Sequence, residues 1–198
     1  MNTSKYINTR NLVMLALFTT IVVIFQFLGS FIKFGPFSIS LVLMPIVIGA
    51  ALIGVYAGGW LGLVFGFIVL LSGDANVFLA INPAATIVVV LLKGILAGFA
   101  AGAVYRLYST KNRTMATIIA AAVCPIVNTG VFLVGTYLFF LPTITQWGLD
   151  KGFASTTAFI FIGMISVNFL VELCINLVLS PVIVRLIQYR LEINKNIE

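Results

Sequence analysis

An all-α integral membrane protein, a six-transmembrane-helix bundle with both termini cytoplasmic, is what this sequence predicts, on three observations. Of its 198 residues 62% are hydrophobic and only 8% charged, with mean hydropathy +1.20. A soluble domain of that size carries about a quarter charged residues. Apolar runs of about 17 to 25 residues cross roughly 30 Å of hydrocarbon at 1.5 Å per residue, and six such runs can be drawn along the chain. The basic residues then set the orientation. Lys5, Arg10, Arg106, Lys111, Arg113, Arg185, Arg190 and Lys195 fall at the two ends and the fourth connection, against Lys33 and Lys151 on the opposite side, and basic residues stay in the cytoplasm.

The expected spans are 11–31, 38–54, 57–72, 84–108, 115–141 and 154–188, within a single membrane domain covering 1–198. The first follows Arg10 and runs at full length, so it reads as its own membrane signal rather than a cleavable leader. It carries a small-residue pair, Ala16 and Thr20. The second follows Lys33-Phe34-Gly35-Pro36-Phe37-Ser38, and the third bears Gly58, Gly62 and Gly66 in register with Gly54. Gly94, Gly98 and Gly102 repeat that spacing in the fourth, which opens after Asn82-Pro83. Small residues four apart let helix backbones approach closely, which in lipid replaces the missing hydrophobic drive between helices. In the fifth span Pro125 removes a backbone donor shortly before Asn128-Thr129-Gly130. That is either a simple kink or the wall of a cavity. The sixth carries Asn168 and Glu172.

Several classes of chemistry are excluded. The chain has no histidine and two cysteines, Cys124 and Cys174, without metal-ligand spacing; both read as apolar packing residues. No metal site, nucleotide-binding glycine loop or activated nucleophile is visible, so the chain is not read as an enzyme. The net charge of +6 is scattered over helix ends rather than gathered on one face, which argues against nucleic acid. Asn112-Arg113-Thr114 matches a glycosylation sequon, but it falls in the expected cytoplasmic connection and reads as chance.

Lys93 and Glu172 are the only charges inside the apolar stretches, and burying charge in hydrocarbon costs several kcal/mol. Lys93 lies 13 residues from Arg106, Glu172 13 from Arg185 and Asn128 15 from Arg113, so all three stand roughly 20 Å from the cytoplasmic boundary. Gln26, 16 residues from Arg10, and Asn168, one turn beyond Glu172, stand slightly higher. Five polar side chains from four helices therefore converge on one layer. Either Lys93 and Glu172 neutralise each other as a buried ion pair, or Lys93 meets an anionic ligand. The outer connections 33–38 and 74–83, aromatic and hinged by Gly or Pro, have the make-up of loops that cap a pocket, or of interfacial anchors.

The six-span plan, Phe34-Gly35-Pro36-Phe37-Ser38 followed by Leu41-Val42-Leu43-Met44-Pro45-Ile46, Asn82-Pro83 before Leu92-Lys93-Gly94, and Pro125-Ile126-Val127-Asn128-Thr129-Gly130 together resemble the substrate-binding S components of energy-coupling factor transporters. The resemblance covers roughly residues 10–190 and is greatest to the pantothenate-specific branch. It implies a vitamin-binding subunit of a prokaryotic, chiefly Gram-positive, plasma membrane, which associates with a transmembrane coupling protein and two cytoplasmic ATPases and topples to open its pocket inward. ATP and Mg then belong to the partner ATPases, and this chain carries no cofactor. The first-helix pair Ala16 and Thr20 matches the spacing of the family's Ala-xxx-Ala coupling surface, with Thr replacing the second Ala. Substrate-binding residues are expected at Lys93, Asn128, Asn168, Glu172, Gln26 and Asn82, with Phe34, Gly35, Pro36 and Phe37 forming a gating loop. Pantothenate offers Lys93 a carboxylate and the amide side chains its hydroxyls and amide. Pyridoxine, riboflavin, folate and niacin remain alternatives, as do a proton-coupled secondary transporter using Glu172 and a membrane scaffold that transports nothing.

Overall fold

The computed structural model describes residues 9–31, 33–34, 37–38 and 40–195. Helix α1 (Thr9–Ser30) leads to a minimal hairpin in which β1 (Lys33–Phe34) pairs antiparallel with β2 (Phe37–Ser38). Then come α2 (Leu43–Ile53), α3 (Val55–Leu71), the one-turn α4 (Asn76–Leu79), α5 (Pro83–Tyr108) and α6 (Arg113–Phe139). The chain closes with α7 (Leu141–Asp150), the short α8 (Thr156–Ala158), a π-helical stretch (Phe159–Ile165) and α9 (Ser166–Lys195). Apart from the hairpin, regular structure among the described residues is helical.

Four of these helices are long and apolar enough to cross a membrane: Thr9–Ser30, Pro83–Tyr108, Arg113–Phe139 and Thr156–Val182, the last taking in α8, the π-helical stretch and part of α9. The expected second and third spans correspond to α2 and α3, of 11 and 17 residues, or roughly 16 and 26 Å. The second expected span was drawn to begin at residue 38. Ser38 instead pairs in the hairpin, and the helix starts only at Leu43.

Local chemistry explains the boundaries. Asn82 caps α5 in an extended conformation, its Oδ1 accepting the Ala85 N–H at 3.1 Å, with Pro83 at the first helical position. There the ring costs no hydrogen bond. Asn112 caps α6 in the same way, accepting the Met115 N–H at 3.1 Å, so a helix start accounts for the Asn-Arg-Thr match. Gly54 separates α2 from α3 with φ 135°, and Gly73 ends the α3 turn with φ 85°. Both values lie where a Cβ is strained. Pro125 stands inside α6, which runs unbroken from Arg113 to Phe139. The proline removes one backbone donor without ending the helix.

The most extensive contact between elements is α3 against α5. It is a seam of backbone on backbone: a Cβ on Gly62 would strike the Gly94 carbonyl oxygen, one on Gly58 the Gly98 carbonyl, and one on Gly66 the Val90 carbonyl. Around it Val22, Val42, Leu43, Ile46, Leu61, Phe65, Ala97 and Cys124 form a core shared by α1, α2, α3, α5 and α6. A second cluster joins Phe78, Phe140, Ile144 and Phe159 near the α4 and α7 end. Cys124 is a core residue as expected, whereas Cys174 lies exposed on α9.

Candidate functional site

Between the two hydrophobic clusters lies a cavity with an apolar wall and a polar wall. Val69, Val89, Val90, Phe132, Phe140 and Phe169 supply apolar lining, and Phe78 of α4 closes against them, its ring meeting Phe132 at 5.5 Å and Phe140 at 5.1 Å between centroids. Both pairs are edge-to-face, the geometry that ring quadrupoles favour. The polar wall carries Gln26 of α1, Lys93 of α5, Asn128 of α6, and Asn168 and Glu172 of α9. All five residues that depth counting placed in one layer therefore line one cavity.

Asn82, the sixth expected binding residue, is not among the lining residues; its side chain is engaged in capping α5. Of the expected gating loop, Gly35 and Pro36 lie outside the described residues, and only the backbone of Phe34 and Phe37 is described, as the hairpin strands. Ala16 and Thr20 precede Gln26, the lining residue of α1, on the same helix and are both exposed on its surface, with the Thr20 hydroxyl donating to the Ala16 carbonyl at 3.0 Å.

Sequence counting missed Asp74, Ser40, Thr86 and Thr129, which also line the cavity. Asp74 stands in the turn between α3 and α4, where helical rise gives no measure of depth. Its signal was chemical: a lone carboxylate in an otherwise uncharged connection.

The charged groups are held in different ways. Glu172, 2% exposed, accepts at Oε1 from the Ser40 backbone N–H at 3.0 Å and from Asn168 Nδ2 at 3.2 Å. Its own carbonyl accepts from Asn176 Nδ2 at 2.9 Å. Asp74 accepts at Oδ2 from Gln26 Nε2 at 2.7 Å and from the Ser72 hydroxyl at 3.0 Å. Lys93 is the exception. Among the described residues it has neither a hydrogen-bond nor an ion-pair partner, and its Nζ stands 5.5 Å from the ring centroids of both Phe65 and Phe132. Ring faces attract a cation, but they leave its three N–H donors unmatched. The buried Lys93–Glu172 salt bridge that the sequence left open is thus not formed.

A largely apolar pocket with a few convergent polar groups is the usual form of a small-molecule site. No group of His, Cys, Asp or Glu able to hold a metal ion occurs among the described residues.

No curated protein and no solved structure matches the chain. Residues 10–184 match the family model described as the ECF transporter, substrate-specific component. That match spans nearly the whole sequence, including every residue of the polar wall, and its members are substrate-binding subunits of transporters rather than enzymes. This multi-pass membrane chain belongs to the substrate-specific component family of the energy-coupling factor transporters.

Proposed function

We propose that the protein is the vitamin-capturing subunit of an energy-coupling factor importer and that its vitamin is pantothenate. The observation that carries the reading is Lys93: among the described residues it is the one charged group of the cavity without a polar partner, while each carboxylate there already has two donors. An ammonium held in this way calls for an anion. Pantothenate brings a carboxylate for Lys93, hydroxyls and an amide for the polar wall, and a branched aliphatic segment for the valines and phenylalanines. Riboflavin and pyridoxine lack the carboxylate.

In this reading the chain crosses the plasma membrane of a prokaryote, of Gram-positive type, six times. The second crossing is made by α2 and the third by α3, and both termini lie in the cytoplasm. The cavity then opens outward, beneath α4 and the 33–38 hairpin, which cover it as a gate. Import needs a transmembrane coupling protein and two cytoplasmic ATPases, which supply ATP and Mg; the sequence carries no nucleotide-binding glycine loop of its own. The exposed Ala16 and Thr20 face of α1 is the surface that docks on the coupling protein.

The test is extraction in mild detergent, mass spectrometry of the small molecule that accompanies the protein, and calorimetric titration of pantothenate onto the stripped protein. Tight 1:1 binding is expected. A different vitamin in the cavity would discard pantothenate and keep the importer. A protein that binds no vitamin, or uptake that follows the proton gradient in cells lacking the ATPases, would overturn the reading.

A further inference from the structure

The polar wall has an asymmetry that the lysine does not explain. Gln26 Oε1, Asp74 Oδ1, Asn128 Oδ1 and Asn168 Oδ1 are all buried with no hydrogen-bond partner, and all four residues line the same cavity. The amide orientations of Gln26 and Asn168 are fixed by chemistry, since each turns its NH2 to a carboxylate oxygen that can only accept. Their carbonyl oxygens are therefore left facing nothing. Gln26 is 1% and Asn128 4% exposed, so water does not satisfy them freely. A buried acceptor without a donor costs about 1–3 kcal/mol, and four beside one cavity form a demand for donors that this chain itself does not meet.

We propose that Asp74 is a ligand-binding residue, and that with Gln26, Asn128 and Asn168 it forms an acceptor rim that takes hydroxyl and amide N–H donors of the ligand while Lys93 takes its carboxylate. The assignment rests on the vitamin reading above and adds to it a residue and a direction. The ligand lies with its anionic end at α5 and its hydroxylated end at the contact between α1 and the α3–α4 turn. Asp74 suits the hydroxyl end because a carboxylate binds a hydroxyl donor more strongly than a neutral carbonyl does. Gln26 and Ser72 occupy Oδ2 and leave Oδ1 for the ligand. The proposal also explains why a carboxylate stands here rather than an amide: with its lone pairs aimed at both Gln26 and the ligand it needs no donor of its own.

The experiment is calorimetric titration of the full-length protein in detergent with two probes: pantothenate, and the same acyl-β-alanine skeleton with both hydroxyls replaced by hydrogen. Wild-type protein is expected to prefer pantothenate by roughly a hundredfold. Asp74→Asn and Asp74→Ala should weaken pantothenate binding by roughly tenfold to a hundredfold, the range expected for losing a hydrogen bond to a charged group. They should leave the dehydroxylated probe nearly unchanged, so that the preference collapses. A purely structural role for Asp74 would weaken both probes alike, and that result overturns the proposal, as does a preference that survives both substitutions. Wild-type protein that binds pantothenate but ranks the two probes equally overturns it too, while keeping the vitamin reading. Wild-type protein that binds neither probe overturns both. Thermal unfolding of the ligand-free variants identifies any that have lost the fold, in which case Asp74→Glu, which keeps the carboxylate but moves it by one methylene, gives the same comparison of probes: a loss confined to pantothenate is expected, and an equal loss for both probes overturns the proposal.

Discussion

Two charges that line the cavity are treated in opposite ways, and the difference can be measured. Glu172 is built in, accepting from a backbone N–H and an asparagine. Lys93 is left facing two aromatic rings. Lys93→Ala is expected to abolish detectable pantothenate binding in calorimetry while leaving the ligand-free protein folded; unchanged affinity would remove Lys93 from the site. Glu172→Gln should act mainly on stability, because it retains the shape but weakens the bond from the Ser40 N–H and sets an amide NH2 beside existing donors. A loss of about 1–3 kcal/mol is expected, seen as a lower midpoint of thermal unfolding without ligand. At this scale the sequence was legible for the strongly polar residues of the long helices, though it passed over the hydroxyls of Thr86 on α5 and Thr129 on α6. Gln26, Lys93, Asn128, Asn168 and Glu172 were found by counting turns, since the helical rise is fixed at 1.5 Å. Asp74 and Ser40 stand on non-helical segments, where no period relates position to depth, and Asn82 reads equally well as a ligand residue or a cap until the Ala85 N–H is seen to occupy it.

Among the elements, α3 and α5 are bound by what they lack. With glycine on both sides, the carbonyls of Gly94 and Gly98 meet the other helix directly, and no side chain there can yield to an added methyl. Gly62→Val is therefore expected to force the helices apart, at about 1–3 kcal/mol or more. Because Lys93 is the neighbour of Gly94, it should also weaken ligand binding; the check is unfolding and titration on the same variant. A loss of stability with unchanged affinity would show that the seam does not position Lys93. The glycine spacing marked both helices as close-packing surfaces without naming them as each other's partner, and the long apolar runs marked α1, α5 and α6 to within a few residues. Less visible were α4 and α7, a 4-residue and a 10-residue helix, because pieces so short take their shape from tertiary contacts rather than from a repeating pattern. The hairpin at 33–38 escaped for the same reason.

For the whole molecule, the exposed face of α1 and the cavity divide two tasks between two regions. Val13, Leu17, Ile24 and Leu28 stand exposed along the same helix that sends Gln26 inward. Ala16→Trp, on that face, should leave pantothenate affinity as it is and reduce uptake in cells containing the coupling protein and ATPases; normal uptake would remove the face from docking. The glycine seam has one more consequence, for the order in which the chain is made. At roughly 16 and 26 Å, α2 and α3 are marginal in a bilayer alone, and α3 has its main packing surface on α5, which leaves the ribosome later. During synthesis the third helix must wait, loosely held, until its partner emerges. A chain ended after residue 80 should therefore be cleared by quality-control proteases, and one ended after residue 112 should persist.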